Sequence, residues 1–70
     1  MSSNYLVVIE RGERNFSAYV PDLPGCIATG VTREQTVERM REAIALHIAG
    51  LRADGEPVPE PVTSAELVAA

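Results

Sequence analysis

Tyr19-Val20-Pro21-Asp22-Leu23-Pro24-Gly25-Cys26 is the stretch whose reading decides the fold. Proline fixes φ and lacks a backbone donor, so neither Pro21 nor Pro24 fits inside a central ladder. Gly25 admits backbone conformations closed to other residues, and Asp22 can hydrogen-bond its own turn. Apolar, strand-like sequence lies on both sides. The stretch therefore reads as a rigid corner between two strands rather than a slack linker.

Working outward, residues 16–20 alternate weakly as one strand and residues 26–30 form a short following one. Residues 5–10 (Y-L-V-V-I-E) are rich in β-branched and aromatic side chains and predict a first strand. The polar, glycine-containing stretch 11–15 is of hairpin length. After Gly30 comes Thr32, a good N-cap, with Gln35 three residues on to complete a capping box. Val37, Met40, Ile44, Ile48 and Leu51 then recur at helical spacing, while Glu34, Gln35, Glu38, Arg39 and Glu42 lie on the other face. Gly55 supplies a left-handed stop near Asp54, and Pro57 prevents continuation. Pro57, Pro59 and Pro61 make the exit extended, able to lie along a sheet edge through its free carbonyls. Residues 63–70 would form one last helical turn or fray.

This order predicts an α+β domain over residues 1–70, with a core at about 5–61 and a short tail at 62–70. It comprises a three-stranded antiparallel sheet with one packed helix. One helix covers one face of such a sheet. The first strand is nevertheless apolar on both, with Tyr5, Val7 and Ile9 on one side and Leu6 and Val8 on the other. Its second cover is expected to be another subunit, because the tail offers only Val62, Leu67 and Val68. A chain of 70 residues buries only about 60% of its unfolded surface, so support from oligomerisation is expected.

A single cysteine excludes an internal disulfide, and one histidine with one cysteine cannot build a zinc site. No apolar run reaches the roughly 20 residues that span a bilayer, and the polar start is unlike a signal peptide. The chain therefore reads as cytoplasmic, with no membrane contact. Ten acids against six bases, all arginine, give a net charge of −4. No basic patch stands out, so direct DNA or RNA binding is not expected and a basic protein partner suits the charge better.

Catalysis finds no candidate. Cys26 reads as a small buried hydrophobe and His47 as a packing residue at the edge of the apolar helix face. Glu34, Glu38 and Glu42 form an outward row interspersed with arginines, which a solvated face explains. Glu10 and Asp22, at strand ends, would be the acids of a minimal metal-dependent nuclease, the enzymatic alternative. No cofactor is expected. Leu46 falls on the polar side of the helix beside Ala45 and Ala49, where it would serve a protein contact.

The run F-S-A-Y-V-P-D-L-P-G-C-I-A-T-G-V-T-R-E-Q, then an amphipathic helix, then D-G-E-P-V-P-E-P, resembles the HicB-type antitoxins of bacteria. Pro21, Asp22, Leu23, Pro24, Gly25, Cys26, Gly30 and Thr32 match the family's corner and helix start, and Gly55, Pro57 and Pro59 match its exit. The resemblance implies a truncated ribonuclease-H-like fold with a short fourth strand, in the order β-β-β-α-β. It implies a non-enzymatic antitoxin that binds a small basic HicA-type mRNA-cleaving toxin, and a dimer or tetramer. The alternative within the family is a solitary oligomer without a toxin. Many relatives carry a C-terminal DNA-binding module, for which residues 62–70 are too short. The corner is expected to present Asp22 and Leu23 to the partner on a stiff loop, with Leu46 as a further contact.

Overall fold

The computed structural model describes residues 4–70. Three strands, β1 (Val8–Arg11), β2 (Phe16–Tyr19) and β3 (Ile27–Gly30), precede one long helix, α1 (Arg33–Ala53). The sheet is antiparallel in the order β1-β2-β3. Ile9 faces Ala18, which faces Ala28; Val8 faces Tyr19, which faces Ile27. Directly opposed residues share a face. Ile9, Ala18 and Ala28 thus turn toward α1, and Val8, Tyr19 and Ile27 turn away from it.

Ala18, Val20, Leu23, Cys26 and Met40 form the buried core, with Tyr5, Val7, Ile9, Ala28, Ala43, Ile44 and Ile48 packed around it. The predicted helix is present in full. Thr32 Oγ1 accepts the Gln35 N–H at 3.0 Å. Gln35 Oε1 accepts the N–H of Val31 at 2.7 Å, one residue before the cap, rather than that of Thr32 as in the usual box. At the other end the Gly55 N–H reaches Arg52 O and the Glu56 N–H reaches Leu51 O. With Gly55 at φ 71°, this is a Schellman stop.

The strand ends differ from expectation for identifiable reasons. β1 begins at Val8 rather than at residue 5, because the register would place Leu6 opposite Pro21, which has no N–H to give. β3 begins at Ile27, since the Cys26 N–H is committed to Leu23 O at 3.0 Å. The short fourth strand is not formed among the described residues: the stretch after Gly55 carries no strand. Pro57, Pro59 and Pro61 leave it too few donors for a ladder, and side chains hold it instead.

Candidate functional site

The corner is two turns in series that share Leu23. The Leu23 N–H donates to Val20 O at 3.1 Å, and the Cys26 N–H donates to Leu23 O at 3.0 Å. Pro21 and Pro24 each take the first central position, where a fixed φ near −65° is required. Gly25 follows Pro24 with φ 85°, the positive value a type II turn demands at its second central position. The Val20 N–H closes the corner on Cys26 O at 3.2 Å.

This geometry points Leu23 inward, where it is 0% exposed. The expectation that the loop presents Leu23 is thereby corrected: the residue shared by two tight turns is the one that anchors them in the core. Cys26 is also buried, its thiol donating to Met40 Sδ at 3.9 Å. Burial pushes that thiol up from its ordinary value, which suits a packing role rather than a nucleophile.

Asp22 points outward but is engaged within the chain. Oδ2 accepts the N–H groups of Val62 at 3.2 Å and Thr63 at 3.0 Å, and Oδ1 accepts the Thr63 hydroxyl at 2.8 Å. The Thr63 backbone and side-chain hydrogen bonds, with that of Val62, hold its carboxyl below the ordinary value of 3.8. Further back the Tyr5 hydroxyl donates to Pro59 O. Residues 56–63 therefore run as a strap from the helix end, past Tyr5, to the corner. Nothing local in the sequence pairs Asp22 with Thr63, forty-one positions away.

Gly30 and Thr36 were legible only as separate letters. A Cβ on Gly30 would lie 2.5 Å from Thr36 Oγ1 and 2.8 Å from Thr36 N. Thr36 is fully buried, its hydroxyl donating to Thr32 O at 2.8 Å. The absent side chain at 30 is what lets the helix start sit against β3. Arg39 adds a clamp, Nη1 donating to Thr29 O at 3.1 Å.

Two surfaces remain open on α1. Leu46 is 74% exposed, flanked by exposed Ala45, Ala49 and Gly50 and preceded by exposed Glu34, Glu38 and Glu42. A shallow groove also runs beside Tyr5, bordered by Arg41 and Arg52. One part, about 410 Å³, is lined by Val7, Val37 and Met40; the next, about 400 Å³, is lined by Ile48, Ala49 and Val58. Charge is partitioned along the chain. All six arginines precede residue 54 and are matched by six acids there, so Asp54, Glu56, Glu60 and Glu66 account for the whole net charge of −4. These four acids are exposed.

Among the described residues no three His, Cys, Asp or Glu side chains converge to hold a metal, and Glu10 and Asp22 do not meet. No described helix is long and apolar enough to cross a membrane.

The described residues make a small α+β domain with a braced corner and apolar side chains open on its helix. The model of the HicB-like antitoxins of bacterial toxin–antitoxin systems matches residues 5–70, and the chain belongs to that family. An uncharacterised 14.9 kDa protein of Haemophilus phage HP1 is 36% identical over 56 residues, which are 80% of this chain and 42% of that protein. A UPF0150 protein of Helicobacter pylori is 40% identical over 47 residues, 67% of this chain and 65% of that one. Another, of Synechocystis, is 38% identical over 58 residues, 81% and 73% of the two. The chain thus spans less than two thirds of the first two relatives. No solved structure gave a significant match.

Proposed function

We propose that the chain neutralises a small, basic HicA-type mRNA-cleaving toxin in the bacterial cytoplasm, by binding it and without chemistry of its own. The family match over residues 5–70 is the observation that carries this reading. The β-β-β-α order supports taking the fold as a truncated ribonuclease-H-like domain. The charge partition supports a basic partner: the acids after the helix would steer it, since complementary charge raises the rate of encounter. DNA contact is not part of the reading.

Leu46 is the apolar anchor of this proposal, because exposed Ala45 and Ala49 leave its side chain standing clear on the helix. Asp22 contributes by holding the strap rather than by meeting the toxin alone, and Leu23 contributes by fixing the corner. In an RNA-cleavage assay with the toxin, the wild-type chain abolishes cleavage at stoichiometric amounts. Leu46→Asp requires at least about tenfold more protein, the loss expected of a central anchor. Equal potency of the two proteins refutes the anchor, and cleavage untouched by the wild-type chain refutes the function.

A further inference from the structure

The proposed toxin contact at Leu46 continues into a cleft. Leu46 and Ala49 are three residues apart and Ala45 and Ala49 four, so they share one stripe of α1. Ala45 and Ala49, both exposed, line a cleft of about 400 Å³ together with half-buried Ile48 and Val58. Val58 belongs to the strap, which thereby closes one side of the cleft. That wall is set before a partner arrives. The Tyr5 hydroxyl donates to the carbonyl of Pro59, next to Val58, and Asp22 holds Val62 and Thr63. A preformed wall spares binding the cost of ordering it.

The charge beside the cleft is acidic. Glu56 and Glu60 stand two residues to either side of Val58, and Asp54 follows the last turn of the helix; all three are exposed. Arg52 lines the cleft, so three acids face one base. The one ion pair among the described residues is Arg41 with Glu38, which leaves the three carboxylates unpaired within the chain. An apolar cleft beside unpaired carboxylates matches one kind of side chain: a long aliphatic stem that ends in a positive charge, as in lysine and arginine.

We propose that the cleft between α1 and the strap seats a lysine- or arginine-bearing segment of the toxin. Its aliphatic stem lies on Ile48 and Val58, and its charge stands among Asp54, Glu56 and Glu60. The inference rests on the antitoxin reading and adds to it the strap as part of the binding site. Leu46 and the cleft then form one continuous surface, apolar along the helix and acidic along the strap.

Binding kinetics of the full chain with the small basic protein recovered alongside it, at low and high salt, test the proposal. Ala49→Gln puts a longer side chain into the cleft at an exposed helical position that tolerates it. It is expected to weaken the complex at least about tenfold, mainly through faster dissociation. Ala45→Gln, on the same wall, should act alike and decides the matter if the first variant does not fold, as far-UV circular dichroism establishes. The double variant Glu56→Gln, Glu60→Gln should slow association and flatten its salt dependence. The double variant Glu10→Gln, Glu13→Gln removes the same charge at the hairpin end of the sheet and should change both less. A tight wild-type complex that the folded Ala49 and Ala45 variants form equally well overturns the cleft and leaves the antitoxin function standing. Equal effects of the two glutamate pairs overturn the acidic rim. A wild-type chain that binds no such protein overturns the function, and the cleft with it.

Discussion

Gly25 and Gly30 are glycines for different physical reasons, and substitution separates them. Gly25 has φ 85° and open space around its Cα. Gly25→Ala therefore meets only the left-handed backbone penalty, about 1–2 kcal/mol. A methyl group on Gly30 runs into the backbone and hydroxyl of Thr36. Gly30→Ala should cost more than Gly25→Ala, and Thr36→Ala should rescue it only in part because the Thr36 N–H stays in place. Urea titrations of the three variants check the order. The corner's glycine was legible from Pro24-Gly25 alone. The one at 30 was not, because its reason is a through-space approach.

Asp22 is the other residue that sequence placed correctly in the chain and wrongly in its surroundings. Its pKa is lowered by the Thr63 and Val62 hydrogen bonds, so the clasp favours the carboxylate. A depressed carboxyl stabilises the fold at pH above its ordinary value of 3.8, and that contribution disappears as pH falls through the lower folded value. The amide resonances of Val62 and Thr63 should therefore titrate together with a midpoint below 3.8. In Asp22→Ala they should lose that titration and exchange faster at neutral pH. A midpoint at or above the ordinary value contradicts the clasp.

At the scale of elements, the helix was readable to within a residue because its signals are local. Thr32 and Gln35 open it, Gly55 closes it, and the apolar period lies between them. Thr32→Ala should lower stability by about 1 kcal/mol, since it strips the Gln35 N–H of its partner. Thermal unfolding followed at 222 nm measures that loss. Strand ends were less readable because they depend on the neighbouring strand. Where β2 stops at Tyr19 and turns through Pro21, the apolar lead-in 5–7 has no ladder to join. The strap was expected to lie along a sheet edge. It is fastened instead by the hydroxyl of Tyr5 and the carboxylate of Asp22, long-range bonds that no local pattern encodes.

The described residues make a thin assembly of two layers, with five buried apolar residues among them as its core. Its radius of gyration is 13.2 Å, against about 11 Å for a compact chain of this length. Such a domain has little stability in reserve, so binding of a partner to the folded state should raise its melting temperature strongly. Among the described residues Tyr19 and Ile27 stand exposed on the sheet face away from the helix, and the resemblance in the corner and exit foreshadowed the family. The location of the net charge after the helix was present in the letters too, but its meaning depended on knowing that those residues are exposed.

The most direct measurement is recovery of the tagged protein from its own host, with native mass spectrometry of the complex and an RNA-cleavage assay on the released companion. The expected companion is a stoichiometric, small, basic protein that cleaves mRNA when freed and stops when this chain is added back. Recovery of the chain with itself alone, or of a companion whose cleavage persists after the chain is returned, contradicts the antitoxin function.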